Sequence, residues 1–587
     1  MKRVIILLLT TLLAMNGWAQ NFSQLMKGYE AYNRFSGSVL VEKNHKILFN
    51  YHCGLASVTN QHPNHDTSLY NLASVSKTIT AAAIFRLHDQ GKLSVYDRVD
   101  KYLPGFIDDS TANIRIINLL NHTSGMAANI CQSDEQGNGL VLPTRDPISC
   151  DSMLLKFKNT RLKFKPGSQF EYNNYGYILL AYVIEKVSGI DYATYIQHEI
   201  SQPAGMNHTF FKTNIQGAIS EGYAGIGTKV RKSVTDQEYH PSWIVGASGI
   251  YSTANDLSKF MDAVFNDQLF SAKTRQLMLD SCISSSFHGV QWTLGWSKHT
   301  FAKEPYYAHS GSDNGYSTKI IYLPSQQVKV VILSNLVRDL ADESLKGAKF
   351  SFVDEISENI LKLLFKQEVT CLPTPKPLNN QAMAGTYKLD ATHKMTLKAI
   401  GDTLRLSIDS LSLFEYAINS PVNDTSTYVS RCNLFTQNLR KGSFDGFEVY
   451  VNAELKKQLF NKNSISQLTG GWSHITKQSG NYLSSTIYKK VDEPNNHSYY
   501  VAHHFEKSEV LMVLSFSNDG LMQGLFILNI LPKCTVKQVC LTKVGSNSYF
   551  IDGYRHGGYP DYTVTYNRKS KLLNFISANE NFSALKE

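Results

Sequence analysis

The sequence pattern of this 587-residue chain changes at three closely spaced prolines, Pro373, Pro375 and Pro377. Because proline fixes φ and removes a backbone N–H, this spacing favours an extended linker. Before the linker, strand-like and helix-like segments alternate, whereas after about residue 380 short runs rich in β-branched and aromatic residues recur between polar turns. We therefore predict a mixed α/β (α+β) domain over residues 21–365, a linker over 366–379 and a β-rich domain over 380–587.

Local patterns place both strands and helices in the first domain. The runs Gly37–Lys43 and Lys46–Phe49 predict two strands joined by a polar turn. Apolar residues at helical spacing over 76–90, followed by Gly91, predict a helix that ends at the glycine. Residues 351–365 predict an amphipathic helix that closes the domain.

The N-terminal segment has the order of residues that is typical of a secretory signal peptide. Lys2 and Arg3 precede the apolar run Val4–Ala14, which is too short to cross a bilayer of about 30 Å as a helix. No later stretch has the roughly 18 uninterrupted apolar residues of a membrane span. We predict a signal peptide over residues 1–19 with cleavage near Ala19, a periplasmic or secreted protein, and no transmembrane segment after signal removal.

The composition argues for a folded protein without a nucleic-acid partner. Hydrophobic residues make up 42% and charged residues 18% of the chain, a profile unlike that of a disordered polymer. The balance of 58 Lys+Arg against 49 Asp+Glu gives +9, which is small for this length. We expect a small-molecule or peptide substrate and no nucleic acid, and the oligomeric state is left open.

The eight cysteines can form disulfides if the protein is exported. Their spacing does not select a pairing. Cys131 with Cys150 and Cys534 with Cys540 are candidate pairs, and buried free thiols are equally compatible with the sequence. No Cys-x-x-Cys pair is present, so nothing supports a structural zinc site.

Two histidine pairs could suggest a metal site. His62 and His65 lie in a proline-containing polar segment, and His503 and His504 are adjacent in a strand-like run. Neither pair has a third ligand that spacing identifies, so we interpret these residues as surface histidines. No metal and no cofactor are predicted.

Ser74 and Lys77 are three positions apart at the start of the predicted helix, so their side chains lie on one face. Lys77 can then share the proton of Ser74. The helix N-terminus stabilises a developing alkoxide and disfavours a protonated lysine, and both effects activate a serine nucleophile. The spacing alone is weak evidence, because Ser583 and Lys586 share it.

Two further runs could complete a catalytic site. A phenol such as Tyr172, beside an ammonium group, loses its proton more easily and can pass a proton between nucleophile and leaving group. The amide of Asn174 can bind a substrate amide. In the run His309–Ser312, Gly311 lets a substrate approach the strand edge, whose N–H groups can face a reacting carbonyl oxygen. Similar triplets occur elsewhere at Tyr450–Asn452 and His556–Gly558.

Taken in order, Ser74–Lys77, Tyr172–Asn174 and His309–Gly311 resemble the three motifs of the serine β-lactamase and penicillin-binding-protein superfamily. The closer resemblance is to the branch related to class C β-lactamases, D-aminopeptidases and esterases. It extends over residues 21–365. Four further segments are similar to supporting signatures of this family: Phe35–Val41, Gly91–Asp97, Leu119–Met126 and Gly246–Leu257.

The resemblance implies an antiparallel sheet flanked by helices, a helical subdomain, and an active site between them. It implies that Ser74 attacks a carbonyl to form an acyl-enzyme that water then hydrolyses. Lys77 and Tyr172 would transfer protons, and the resemblance does not decide which of the two is the general base. The backbone N–H groups of Ser74 and Ser312 would form the oxyanion hole. The residues that would contact the substrate are Asn174, His309, Gly311 and Ser312.

The family also bears on two residues outside the three motifs and on substrate choice. The segment that contains His122 and Ser124 is a structural turn in the family, which is how we interpret it. Many β-lactamases and penicillin-binding proteins have lysine at the position of His309, and lysine carries a permanent charge suited to a carboxylate. Histidine is largely neutral near pH 7, so β-lactam hydrolysis is the less favoured activity.

The sequence therefore predicts an exported serine hydrolase that cleaves an amide or ester bond. Peptides, including D-amino-acid peptides, rank above small esters, and β-lactams rank third. Two alternatives of other classes stay open: a non-catalytic ligand-binding or sensor protein, and, more remotely, a metal hydrolase.

Overall fold

The computed structural model describes most of the chain. The described residues are 20–106, 113–126, 145–157, 162–226, 229–232, 239–284, 290–339, 349–369, 371–372, 383–388, 394–400, 403–408, 426–459, 462–493, 495–506, 508–532, 537–543, 548–552, 563–567, 569–576 and 581–586. The predicted signal peptide, Cys131 and Cys534 lie outside them. The chain divides into two units, Met1–Arg338 with Phe350–Leu372, and Asp339–Lys349 with Pro373–Glu587.

An eight-stranded antiparallel sheet forms the centre of the first unit. Side chains alternate along its strands, so Val39 and Val41 enter one buried cluster and Leu40 enters the other. Both faces are therefore covered, as the hydrophobic strands require. In order across the sheet, the strands are Ile283–Ser284, Gln291–Trp292, Ser297–Phe301, Glu304–Asp313, Tyr316–Leu323, Val328–Ser334, Gly37–Lys43 and Lys46–Cys53.

Helices pack against both faces of this sheet. A helix over residues 20–31 and the helix Val353–Leu364 cover one face, where Phe22, Met26 and Ile360 are buried. The helices on the other side, together with short helices of the helical subdomain, form the larger cluster. These helices are Ser76–Asp89, Ile116–Leu120, Cys150–Phe157, Asn174–Ser188, Tyr192–Tyr195, Ala254–Phe265 and Ala272–Asp280. The predicted antiparallel sheet with flanking helices is confirmed.

Three small groups of strands complete the first unit. Ile250–Ser252 pairs with both Tyr70–Asn71 and Phe210–Phe211. Leu55–Ser57 pairs with His62–Pro63. Tyr223–Ile226 pairs with Lys229–Lys232 and, in parallel, with Leu336–Asp339. The first of these groups matters most for function, because Asn71 begins the turn that carries Ser74.

The described part of the second unit is rich in strands, as the sequence predicts, and also contains helices that the strand pattern did not indicate. A four-stranded antiparallel sheet consists of Tyr482–Glu493, Asn496–Phe505, Ser508–Phe516 and Met522–Pro532. The helices are Thr427–Lys441, Ala453–Leu459 and Lys462–Ser479. Phe435, Leu439 and Trp472 from these helices share a core with Tyr499 and Val501 of the sheet, so tertiary packing organises this region.

The remaining strands of the second unit form a sheet that closes on itself. Its first and last strands pair with each other, Tyr387 opposite Lys586. The residues between its third and fourth strands include the helices and the four-stranded sheet described above. The strands are Gly385–Lys388, Lys394–Ile400, Thr403–Ile408, Lys537–Lys543, Ser548–Asp552, Thr563–Asn567, Leu572–Ile576 and Asn581–Lys586.

The structure also bears on the predictions for the cysteines, the histidine pairs and membrane spans. Cys150 is a free thiol, so the proposed pairing with Cys131 finds no support in the described residues. His62 and His65 are exposed, as expected. The interpretation of His503 as a surface residue is wrong, because it is fully buried with the aromatic rings of Trp472 and Tyr482 near it. Among the helices of the described ranges, none is both long and apolar enough to traverse a lipid bilayer.

Candidate active site

Ser74 lies in a 3-10 turn, Ala73–Val75, immediately before the helix Ser76–Asp89. Ala73 has φ of 48°, a left-handed conformation that costs a non-glycine residue about 1 kcal/mol. Its N–H donates to Oδ1 of Asn71 at 2.9 Å, which helps to hold the turn. The nucleophile candidate is therefore presented on a strained turn at a helix start, while Lys77 lies in the first turn of the helix.

Lys77 connects this turn to the segment that contains Ala247. Its Nζ donates to Oγ of Ser74 at 3.0 Å and to the carbonyl oxygen of Ala247 at 2.8 Å. The side chain is fully buried, and burial lowers the pKa of Lys77 to about 7, although the nearby Asp313 carboxylate opposes that shift. Near neutral pH the amine is thus poised between its charged and neutral forms, which suits proton exchange with Ser74.

Tyr172 lies close to both Lys77 and Ser74. Its phenol shares a side-chain hydrogen bond with Ser74, and Lys77 Nζ lies 5.2 Å from the centre of its ring. The expectation that this phenol loses its proton easily is wrong. Burial raises the pKa of Tyr172 above its usual value, and the hydrogen bond from Ser74 offsets only part of this effect. Tyr172 therefore stays protonated near pH 7 and can donate a proton.

The strand Glu304–Asp313 passes directly beside Ser74. A Cβ placed on Gly311 would overlap the carbonyl oxygen of Leu72 and Oγ1 of Thr318, and would lie 3.0 Å from the amide nitrogen of Ser74. The described pairing with the neighbouring strand Ser297–Phe301 ends at Ala308, so the next residues present an edge beside the turn. Glycine is thus required by close backbone approach.

His309 is buried at the start of this edge. Its Nδ1 donates to the carbonyl oxygen of Ser310 at 2.8 Å, which leaves Nε2 as the unprotonated nitrogen. Burial, and secondarily the charge of Lys77, lowers the pKa of His309 to about 3. The imidazole is therefore neutral near pH 7 and offers an acceptor, not a positive charge. Among the described residues, Nε2 has no hydrogen-bond partner.

The remaining predicted residues lie at the surface near this centre. Ser312 is exposed on the same strand edge, one position beyond Gly311. Asn174 is exposed at the first position of the helix Asn174–Ser188. The structure thus brings Ser74, Lys77 and Tyr172 into contact, and Gly311 against them.

Sequence reasoning missed several residues of this centre. Asp313 accepts hydrogen bonds from Asn71 at 3.2 Å and Ser248 at 3.4 Å, and it is the carboxylate that acts on Lys77. Trp292 packs 5.5 Å from both Tyr172 and Phe170 and 5.6 Å from His309. Ser248 lies in the segment Gly246–Leu257, which the sequence marks only as a supporting signature, and no local pattern around Trp292 indicates a role.

A cluster of possible metal ligands lies elsewhere in the first unit. Among the described residues, one group of such side chains, Glu42, His45 and Asp262, has ligand atoms within 4.8 Å of one another. The ammonium of buried Lys329 contacts both Glu42 and Asp262. These two carboxylates therefore already have a cationic partner.

Comparison with known proteins identifies relatives of the first unit. A family model described as beta-lactamase matches residues 18–349. The putative penicillin-binding protein PbpX of Bacillus subtilis is 32% identical over 305 residues, which are 51% of this chain and 71% of that protein. A putative D-alanyl-D-alanine carboxypeptidase of Escherichia coli is 28% identical over 357 residues, 53% of this chain and 80% of that protein.

A solved structure resembles a larger part of the chain. The octameric penicillin-binding protein homologue from Pyrococcus abyssi is 20% identical, with a TM-score of 0.51. The match covers 84% of this chain and 95% of that one. At this identity the likeness concerns the fold alone.

Proposed function

The chain belongs to the beta-lactamase family, and from this premise we propose that it is a serine hydrolase that cleaves an amide or ester bond through an acyl-enzyme on Ser74. The observation that carries the proposal is the contact of Lys77 Nζ with Ser74 Oγ at 3.0 Å, together with the lowered pKa of Lys77, about 7. A buried amine with this pKa can take the serine proton at neutral pH.

In the first step, Ser74 Oγ attacks the substrate carbonyl carbon and its proton passes to neutral Lys77. The developing oxyanion accepts hydrogen bonds from the backbone N–H groups of Ser74 and Ser312, an assignment favoured by the close approach of Gly311 to the Ser74 amide. The bond to the leaving group then breaks. Tyr172, which burial keeps protonated, donates the proton to the departing nitrogen or oxygen, and the ammonium of Lys77 restores the phenol.

In the second step, water attacks the acyl carbon and the bond to Ser74 Oγ breaks. The water proton passes through Lys77 and Tyr172 to Ser74, which regenerates the starting state. Asn174 and His309 would contact the substrate beside the reacting carbonyl. Because His309 Nε2 is an acceptor, it suits an N–H group of a peptide or amide.

The same feature of His309 bears on the substrate class. A neutral imidazole gives a substrate carboxylate no fixed positive partner at this position. Peptide or D-amino-acid amide bonds therefore rank first, short esters second, and β-lactams, which carry such a carboxylate, third. The name of the E. coli relative, a putative D-alanyl-D-alanine carboxypeptidase, supports a D-amino-acid residue at the cleaved bond, and neutral His309 favours substrates without a carboxylate at this position.

Parallel assays test this proposal. The protein and Ser74→Ala would be given a D-amino-acid amide, a short-chain chromogenic ester and a chromogenic cephalosporin, and the acyl-enzyme would be sought by intact mass. We expect turnover of the first two substrates by the wild type only. Activity that survives unchanged in Ser74→Ala would contradict the assignment of the nucleophile.

A ligand-binding or sensor protein of the same fold is the second candidate. A fluorophosphonate probe separates the two, because it labels an activated serine covalently. Absence of label on the wild type would favour the binding protein. A metal hydrolase would lose activity in a chelator, and we expect no loss.

The N-terminal segment completes the proposal. Residues 1–19 have the charge and apolar pattern of a signal peptide, so we propose that the enzyme acts in the periplasm or outside the cell. Mass spectrometry of the mature protein from its native host would test this, since cleavage near Ala19 is expected and an intact Met1 would contradict it.

A further inference from the structure

His122 accepts backbone hydrogen bonds from the residues on both sides of Tyr172. Its carbonyl oxygen accepts the N–H of Glu171 at 2.9 Å, and its ring Nδ1 accepts the N–H of Asn173 at 3.1 Å. These two N–H groups belong to the residues on either side of Tyr172. A single residue therefore holds the peptide groups before and after the phenol.

The ring of His122 also packs on the ring of Tyr172. The two ring centres are 4.3 Å apart and the planes are inclined by 32°, a closer contact than those of this imidazole with Phe170, Tyr177 and Trp292. Tyr177 and Trp292 lie against the same imidazole at 5.3 Å and 5.2 Å. The phenol ring is thus supported through its face as well as through its backbone.

The turn that contains His122 is built to present these contacts. His122 has φ of 60°, which is unusual for a non-glycine residue, and in this conformation its carbonyl oxygen and its ring both contact the segment that contains Tyr172. Further along, the N–H of Lys163 donates to Gly125 and the N–H of Gly167 donates to Thr123, both at 2.8 Å. The segment that leads to Tyr172 is therefore attached to the turn along its length.

The protonation state of His122 is compatible with this arrangement. Because Nδ1 accepts the Asn173 N–H, the proton of the neutral ring is on Nε2. A proton added to Nδ1 would break that bond, and burial keeps the pKa of His122 well below its usual value. The charge of Lys77 acts in the same direction.

We propose that His122 is a positioning residue for catalysis, which holds the Tyr172 phenol in place for proton donation through the two flanking backbone hydrogen bonds and the ring contact. The inference rests on the proposed function, since it assigns a role to Tyr172 in that reaction. It replaces the interpretation of this segment as a merely structural turn.

A double-mutant cycle tests the proposal. The rate constant for labelling of Ser74 by an aryl phosphonate ester, whose phenoxide leaving group takes up a proton as fluoride does not, would be followed by intact mass. It would be measured for the wild type, His122→Ala, Tyr172→Phe and the double variant. We expect His122→Ala to slow labelling by about tenfold or more in the presence of Tyr172. In the Tyr172→Phe background the same change should alter the rate by less than about twofold.

Two further variants separate positioning from general loss of structure. In His122→Asn, Oδ1 can replace Nδ1 as acceptor and asparagine tolerates positive φ, so this variant should recover part of the rate. Thr123→Val removes the hydrogen bonds of Thr123 Oγ1 with Asn118 and Asn121 in the same turn without touching Tyr172. Its labelling rate should stay within about twofold of the wild type.

The outcomes are distinguishable. No labelling of the wild type would overturn the proposed function and this inference with it. A labelled wild type with equal loss from His122→Ala in both backgrounds, or no loss, would overturn the inference alone. If His122→Ala does not fold, His122→Asn in the two Tyr172 backgrounds decides the question, because asparagine lacks the ring that packs on the phenol.

Discussion

Gly311 and Ser74 are in backbone contact, with the position of a Cβ on Gly311 only 3.0 Å from the amide nitrogen of Ser74. The two residues are far apart in sequence and belong to a strand edge and a 3-10 turn. Their proximity creates the place where a carbonyl oxygen could meet two backbone N–H groups.

Gly311→Ala should therefore damage the site more than an ordinary added methyl group. The Cβ would overlap Leu72 and Thr318 as well, so the strand must move away from Ser74. We expect fluorophosphonate labelling to slow by about 100-fold, as for loss of an oxyanion-hole donor, with about 1 to 3 kcal/mol lower stability. Quenched labelling reactions analysed by intact mass would measure the rate, and urea unfolding would measure the stability.

Gly470→Ala is the matched control for this substitution. Gly470 lies in the helix Lys462–Ser479, and a Cβ there would meet no atom within 4 Å apart from its chain neighbours and the backbone of its own helix. Alanine should stabilise that helix by up to about 1 kcal/mol and leave the labelling rate unchanged. Equal rates for the two alanine variants would contradict the close approach at Gly311.

The pH dependence of acylation should follow Lys77. Its pKa is about 7, with Asp313 the facing carboxylate and His309, His122 and Tyr172 uncharged neighbours. Below pH 7 the amine is protonated and cannot accept the Ser74 proton. The acylation rate should fall about tenfold for each pH unit below this midpoint and level off above it, as a pH series of labelling rates would record.

Two variants test whether the pH midpoint of acylation belongs to Lys77. Lys77→Arg keeps a cation that does not lose its proton, so it should label very slowly at every pH. Tyr172→Phe should be slower than the wild type and keep the midpoint near 7. A midpoint that disappears with Tyr172 and persists in Lys77→Arg would show that the phenol is the base.

Lys329 should be important for stability and not for catalysis. Its Nζ is 2.7 Å from Glu42 and also contacts Asp262, and the lysine side chain is only 2% exposed. Lys329→Met would leave these carboxylates without their cation and should cost about 3 kcal/mol in urea unfolding. Lys319→Met breaks a pair with Asp354, whose side chain is 59% exposed, and should cost less than about 1 kcal/mol. Equal costs would contradict this account.

His503 should make the second unit sensitive to acid. The ring is fully buried beside Trp472, and burial lowers the pKa of His503 to about 3. The unfolded chain, with a pKa of about 6.5, then binds more protons in the window between these values, so stability falls as pH falls. From pH 7 to pH 5 the loss should be about 2 kcal/mol. Hydrogen exchange of the strand Asn496–Phe505 would measure it.

His503→Phe should remove most of this acid sensitivity, because phenylalanine fits the aromatic surroundings and does not titrate. The neighbouring His504 is only partly buried, and His504→Phe should leave the sensitivity in place. An unchanged pH dependence in His503→Phe would assign the effect to another group.

Much of the first unit follows from local pattern. The three-residue spacing of Ser74 and Lys77 at a helix start brings their side chains together in the fold, and Gly311 lies where a close strand edge requires glycine. The protonation state of Tyr172 could not be predicted from local sequence patterns. Its pKa depends on burial by distant residues, which outweighs the hydrogen bond from Ser74.

The residues that sequence reasoning missed also reach the site only through tertiary contacts. Ala247 supplies a carbonyl oxygen to Lys77 from 170 positions away, and a carbonyl has no residue-type signature. Trp292 reaches the centre from the sheet, and His503 is buried only because helices cover its strand. Contacts of this kind join segments that are far apart in the sequence, and their sequence separation does not indicate how close they lie in the folded protein.

The sequence by itself determined the family, the mixed fold, and the order of the three motifs, because helix and strand periods and short motif spacings are local properties of the chain. Only the tertiary structure decided that burial brings the pKa of Lys77 near 7, that Tyr172 stays protonated, and that His122 accepts hydrogen bonds from the residues on either side of Tyr172. Desolvation and close backbone approach arise only when distant segments pack together, and desolvation sets the protonation states on which the proposed chemistry depends.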